Sequence, residues 1–153
     1  MIKCRKGFSL IEMLIVCAII AVLSLITVPA FLRYTANANL KSAVREITSD
    51  ISLMKERAIS RNLQQKIVFA VGSESYTLQE DSGGWTTIQT KLLTSFGSNI
   101  DITNAAFFHG AVIFFQTRGT ADNGKVQLSN SRGSTATITT NITGRTYVTY
   151  TMQ

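Results

Sequence analysis

The chain has 153 residues, with 15 Lys and Arg against 9 Asp and Glu for a formal charge of +6, and 45% of it is apolar. That length holds a membrane helix and one small domain, not two domains. Two cysteines and one histidine supply no zinc-type ligand set, and the positive charge is spread along the chain, so composition gives no strong case for nucleic acid as a partner.

The first seven residues carry Lys3, Arg5 and Lys6, and without them the side-chain charge falls from +6 to +3. Basic residues ahead of a first apolar helix keep that end cytoplasmic and send the rest of the chain across the membrane. An apolar run follows from Phe8 to Leu32, about 25 residues or about 37 Å of helix, long enough to span a bilayer. One carboxylate, Glu12, stands almost at its start. A lone Glu in a bilayer costs roughly 2.5–3.5 kcal/mol on insertion scales, so a membrane segment keeps one only for a use. A secretory signal peptide is an alternative, with Met13 to Val28 as its apolar region and Val28-Pro29-Ala30 as its cleavage site, but Glu12 and Pro29 fit it poorly. A plain single-pass anchor explains the length and leaves Glu12 unexplained. Pro29 removes one helix hydrogen bond and kinks or loosens the helix about four residues upstream. Cys4 lies before the apolar run and Cys17 inside it, so neither pairs within the domain that follows.

Beyond Pro29 the helix becomes amphipathic. Leu40, Val44, Ile47, Ile51, Met54 and Ala58 recur at helical spacing, with Lys41, Arg45, Asp50, Lys55 and Arg57 off that stripe. A helix from Phe8 to Leu63 would be about 84 Å long. A coiled coil would also use the stripe, but the short heptad run and the strand-like sequence after it favour packing against the chain's own domain.

After Leu63 the period changes to two. Ile67 to Val71 reads as a strand, Tyr76 and Leu78 alternate with polar neighbours, and Ser82-Gly83-Gly84 is a turn. Trp85 to Ile88 and Ile100 to Ile102 are short strands with a loop at Ser95 to Asn99 between them. Val112 to Phe115 is a buried strand. Asp122-Asn123-Gly124 reads as a hairpin turn into Lys125 to Ser129, and Asn130 to Gly133 turns again. The last twenty residues hold eight Thr, which suits strands. Ala136, Ile138, Thr140 and Ile142 share one face, and Gly144-Arg145 leads into a final strand from Thr146 to Tyr150.

The Gly7-Phe8 junction, with Glu12 fifth counting from Phe8 and an apolar helix behind it, resembles the processing site of type IV pilins and type II secretion pseudopilins. In that family a prepilin peptidase cuts after the Gly and methylates the new amine, and the Glu steers subunits into a helical filament. The resemblance implies cleavage between Gly7 and Phe8, N-methylation of Phe8, and assembly roles for Glu12 and Pro29. Farther along, Phe114 to Gly119, Lys125 to Leu128, Ala136 to Ile138 and Gly144-Arg145 look like the GspH/FimT group of minor pseudopilins and pilins.

The organisation so implied is α+β, a long transmembrane-then-amphipathic helix packed on a β-rich pseudopilin domain of antiparallel strands. Residues 1–7 would be a removed leader, 8–32 the membrane helix, 33–63 its amphipathic continuation and 64–153 the globular domain. The resemblance implies a minor subunit of a type II secretion pseudopilus, anchored in the bacterial inner membrane with its domain outside the cytoplasm, or alternatively a FimT-like minor type IV pilin. Its partners would be other pseudopilins or pilins, the prepilin peptidase, an inner-membrane assembly platform and the lipid bilayer, with no cofactor.

Some FimT-like members are linked to DNA uptake through a Gly-Arg-x-Arg stretch. Here Arg145 is a possible DNA contact, but Tyr147 stands where the second Arg would be, which removes one phosphate contact. Arg118, Lys125 and Arg132 are expected at the same end of the sheet. The chain has no phosphate-binding loop, no His-Glu metal motif and no Gly-x-Ser-x-Gly elbow, so an enzyme is not expected. His109, after an aromatic pair, reads as a loop or strand-end residue. Asp122 with Asn123, or Asp101 with Asn104, falls short of the roughly 6–8 oxygens calcium takes.

Overall fold

One α-helix, α1 (Leu10–Arg61), opens the computed structural model, which describes residues 9–97 and 100–153 apart from the side chain of Ile26. The cysteine at position 4 and the Gly7-Phe8 junction therefore lie outside the described residues. The helix stops at Asn62, whose φ of 53° is the left-handed conformation that ends a helix ladder. Pro29 lies in its interior and does not end it.

By contacts the chain divides into two units, one running to Thr35 and the other from Ala36 to Gln153. In the first, the described side chains from Leu10 to Tyr34 are all exposed, with Leu14, Ile19, Leu23 and Phe31 among the bare apolar groups. Two hydroxyls there bond within the helix. Ser24 Oγ donates to Ile20 O at 2.8 Å and Thr27 Oγ1 to Leu23 O at 2.9 Å, so neither hydroxyl asks for water.

In the second unit the expected stripe is the core. Leu40, Ile47, Ile51, Met54 and Ala58 are fully buried and Val44 nearly so, joined by Ala43. Asp50 departs from expectation. It stands three residues from Ile47 and four from Met54, which puts it on the edge of the buried stripe, and it is 3% exposed.

Two four-stranded antiparallel sheets cover this face. The strands are β1 (Gln65–Ala70), β2 (Ser75–Asp81), β3 (Trp85–Leu92), β4 (Ile100–Phe107), β5 (Val112–Phe115), β6 (Gly124–Asn130), β7 (Thr135–Thr140) and β8 (Thr146–Thr151). The first sheet has the order β3-β2-β1-β5 and the second β4-β6-β7-β8. Alternation does what the period of two predicts: Ile67, Phe69, Tyr76, Leu78, Ile113 and Phe115 point inward from one sheet, and Ile102, Val126, Leu128, Ala136 and Ile138 from the other. Outward on the first sheet, Lys66 Nζ lies 3.9 Å from the centre of the Trp85 ring, which meets Phe114 edge-on at 5.5 Å.

Three readings of the sequence change. β3 and β4 run well past the short strands expected, because β3 pairs with β2 along its length and β4 with β6, each through one register shift. Between them Leu93–Phe96 forms a 3-10 turn, and residues 98 and 99 lie outside the description. Asp122-Asn123-Gly124 is not a hairpin turn, since β5 and β6 belong to different sheets. The turn comes earlier, closed by Gln116 N–H to Thr120 O at 2.8 Å, and the chain then crosses between sheets. Ile142 is not inward either: β7 ends at Thr140, and Ile142 is exposed on the following turn.

Candidate functional site

Glu12 occupies the first turn of α1. Its carboxylate accepts the backbone N–H of Ser9 at 2.9 Å, while Ser9 Oγ accepts the N–H of Ile11 at 3.3 Å. This reciprocal pair is a capping box. Ser9 stands at the N-cap and Glu12 three residues on, and together they satisfy donors that the helix start leaves open. The negative charge also faces the positive end of the helix dipole. The Ser-x-x-Glu spacing is plain in the sequence, and it was masked there by the longer string that contains it. Glu12 thus has a local partner within one chain.

Pro29 leaves the carbonyl of Leu25, four residues back, without its helical N–H. Thr27 and, farther on, Thr35 turn their hydroxyls onto carbonyls of the preceding turn, Thr35 reaching both Phe31 O at 3.0 Å and Leu32 O at 3.1 Å. Hydroxyl back-bonding of this kind flanks Pro29 on both sides and weakens a helix where it occurs. Cys17 is a free, exposed thiol on the same apolar stretch.

Arg145 follows a tight turn built by Asn141. Asn141 Oδ1 accepts the Arg145 N–H at 2.9 Å and the Thr143 hydroxyl at 2.8 Å, and Gly144 N–H returns to Asn141 O at 2.8 Å. Lys55 of α1 braces the turn, donating from Nζ to Thr143 O at 2.8 Å. Gly144 has φ +69°, and a Cβ there would sit 2.9 Å from Lys55 Cδ. Gly119 is comparable: at φ +86°, its Cβ would meet Ile59 Cδ1 at 2.9 Å. The Arg118-Gly119 and Gly144-Arg145 turns therefore converge on the same stretch of α1. Lys125 joins that end, because Gly124 at the start of β6 pairs with Thr140 at the end of β7. Arg132 does not. It lies on the β6–β7 turn, at the opposite end of β7, so the four cations expected together are three and one. The Arg145 side chain is exposed and makes no ion pair among the described residues.

His109 pairs through Nδ1 with Asp122 Oδ2 at 2.8 Å and meets the Phe114 ring edge-on at 4.8 Å. The same Asp122 oxygen accepts the Phe114 N–H at 3.2 Å. Asp122 thus closes the free edge of β5. Among the described residues no three His, Cys, Asp or Glu side chains are grouped to hold a metal.

Sequence reasoning did not find the polar cluster around Asp50. Tyr76 Oη donates to Asp50 Oδ2 at 2.6 Å, and Lys91 Nζ donates to Asp50 Oδ1 at 2.8 Å and also to Glu46. Burial first, then the bond to the Asp50 carboxylate, push the Tyr76 phenol far above its usual range. Burial pulls the Lys91 ammonium down, but its hydrogen bonds to Asp50 and Glu46, with their charges, outweigh that and raise it. The cluster ties α1 to β2 and β3. At the other side of the unit, Glu80 accepts from the Gln65 amide at 2.8 Å and from Arg61 at 3.2 Å. The Gln65 bond, with the Arg61 charge, holds Glu80 below the usual carboxylate range despite the opposing effect of burial.

Comparison with known proteins finds relatives of two descriptions. The family model described as type II transport protein GspH matches residues 43–144, and the prokaryotic N-terminal methylation motif matches residues 2–28. Fimbrial proteins of Pseudomonas aeruginosa are 37% identical over 102 residues, 67% of this chain and 62% of theirs, so the matched segment spans less than two thirds of those relatives. Fimbrial protein Q of Moraxella bovis is 30% identical over 119 residues, 78% of this chain and 72% of that one. Among solved structures, the minor pseudopilin EpsH of the Vibrio cholerae type 2 secretion system superposes with a TM-score of 0.60 at 12% identity, over 72% of this chain and 94% of that one. At that identity the likeness is one of fold.

Proposed function

The chain belongs to the GspH family of pilin-like minor pseudopilins, and from that premise we propose that it serves a type II secretion system as a membrane-anchored subunit of a short pseudopilus. The observation that carries the reading is the apolar start of α1, with one carboxylate held at its first turn and a GspH-type domain behind it. In this reading the peptidase cuts between Gly7 and Phe8 and methylates Phe8. Residues from Phe8 to Leu32 hold the subunit in the inner membrane, and the domain lies outside the cytoplasm. The chain's contribution is structural, not catalytic.

Glu12 acts in two states. Before assembly its carboxylate is satisfied by its own Ser9 N–H, which lowers the cost of holding a charge in lipid. During assembly it exchanges that bond for a positive partner, the Phe8 amine of its own or a neighbouring chain. Pro29, which offers no N–H to the Leu25 carbonyl and has hydroxyl back-bonds beside it, is where α1 yields as subunits pack.

A second reading, a FimT-like minor pilin, is favoured by the fimbrial relatives in Pseudomonas aeruginosa and Moraxella bovis. One experiment separates the two. The gene is deleted in its host and restored as wild type or Glu12→Ala, with secretion, piliation and membrane insertion scored together. The proposed function expects lost secretion with piliation intact, rescue by wild type, and a Glu12→Ala protein that inserts but does not rescue. Lost piliation with normal secretion supports the second reading, and full rescue by Glu12→Ala removes the carboxylate from the mechanism.

A further inference from the structure

Two sheets leave four strand edges, and three of them carry some protection. The free side of β4 is closed by the β1–β2 turn, where Gly72 N–H reaches Ile102 O at 2.8 Å and Ile102 N–H reaches Ser73 O at 3.2 Å. The free side of β5 is closed by Asp122, which takes the Phe114 N–H with its side chain and gives its own N–H to Phe114 O at 3.0 Å. β3 is open, but its pairing is bulged beside Leu78 and Gln79 and its Lys91 is tethered to the helix. Such devices are how sheets avoid unwanted pairing.

β8 has none of them. Thr146-Tyr147-Val148-Thr149-Tyr150-Thr151 contains no charge, proline or glycine, pairs with β7 in unbroken register, and pairs with nothing else among the described residues. Its composition is β-branched and aromatic throughout, the kind that accepts another strand. Val148 lies opposite Ile138 on the core face, while Tyr147 projects from the outer face, 57% exposed.

Charge says what kind of strand fits. Arg145 precedes β8 directly, at the end of the sheet that also holds Lys55, Arg118 and Lys125, cations that outnumber the nearby carboxylate of Asp122. At the far end, Gln153 lies against Gly133, next to Arg132. The neutral edge is thus bracketed by cations. A second copy pairing antiparallel about a twofold axis would set Arg145 of each chain toward the Arg132 end of the other, like charge against like.

We propose that the free edge of β8 is a docking edge for an extended segment of a different protein chain, uncharged over about six residues and carrying a carboxylate at each end. The segment joins the second sheet as a ninth strand of the unit. Backbone hydrogen bonds supply the binding, and the acidic ends, against Arg145 and Arg132, set its register and exclude self-pairing.

The test uses the full chain in detergent micelles and three synthetic peptides: Asp-Thr-Val-Thr-Val-Thr-Val-Asp, the same peptide with Lys at both ends, and the acidic peptide with N-methylated backbone amides. Amide hydrogen exchange is followed strand by strand. The expected result is about tenfold slower exchange in β8 with about 1 mM acidic peptide, a dissociation constant near 0.1 mM, and under about twofold slowing with the other two. Changing Arg145→Glu and Arg132→Glu together should transfer the preference to the Lys-ended peptide. No slowing in β8, equal slowing by acidic and basic peptides, slowing at β3 in place of β8, or a β8-protected dimer without peptide would each overturn the proposal.

Discussion

Replacing Asp50 by Ala tests whether the polar cluster under the helix holds the domain together. Asp50 is 3% exposed and serves two donors, the Tyr76 hydroxyl at 2.6 Å and the Lys91 ammonium at 2.8 Å. Without it the Tyr76 hydroxyl, on a residue 1% exposed, is left without an acceptor, a cost of about 1–3 kcal/mol. Lys91 loses one charged hydrogen bond but keeps Glu46, and its side chain is 19% exposed, so its share falls at the low end of about 1.5–3 kcal/mol. Together these give about 3 kcal/mol. Tyr76→Phe, which leaves the Asp50–Lys91 pair in place, should cost about 1 kcal/mol. Glu46→Gln should stay within about 0.5 kcal/mol, because that carboxylate is 38% exposed and screened by water. The assay is urea unfolding of residues 36–153 followed by circular dichroism, with unchanged slopes. At a slope of about 1.5 kcal/mol per molar, Asp50→Ala should lower the midpoint by about 2 M. A loss under about 1 kcal/mol, or an equal loss from Glu46→Gln, would refute the reasoning.

The same fragment should be soluble and monomeric, since the apolar surface from Leu10 to Tyr34 is absent from it; aggregation seen only in the fragment would put its boundary in the wrong place. Its stability should be level through neutral pH and fall above about pH 10, because both Tyr76 and Lys91 have folded-state values raised above the unfolded ones and their contribution is lost as pH climbs through that range; Tyr76→Phe should soften the fall, as pH-dependent unfolding would record. Gly124→Ala should destabilise by about 2–3 kcal/mol in the same urea assay, as its Cβ would come 2.4 Å from the Ala106 carbonyl oxygen. Duplex or single-stranded DNA should not bind at physiological salt by fluorescence anisotropy, given Tyr147 in place of a second Arg and Arg132 at the far end of β7; micromolar binding abolished by Arg145→Ala would reverse that reading.

The N-terminal string and the helical stripe were legible because both are local patterns. Leu40 through Ala58 needed only a period of 3.6, β2 and β7 needed only alternation, and β1 and β5 only a short continuous apolar run. What the sequence hid is nonlocal. Asp50 looks like a surface charge until Tyr76 and Lys91, on separate strands, arrive to satisfy it. Asp122-Asn123-Gly124 carries the composition of a hairpin turn, and nothing local says that the strands on either side belong to different sheets. Lys125 and Arg132 stand close in sequence, yet the run of β6 carries them to opposite ends. The capping role of Glu12 was hidden differently: its spacing from Ser9 was in view, and a second meaning of the same residue covered it.

The glycine before Arg145 has a bearing on how such sequences are read. Its positive φ and its closeness to Lys55 belong to the architecture of the turn, whereas the outward side chain of Arg145 is released from that demand. A Gly-Arg pair at such a turn is thus two signals answering to different physical demands. The first reports a loop that folds against a lysine; the second reports only what stands at the surface. The glycine of such a pair can therefore be read from the turn alone, and only the arginine bears on what the surface meets.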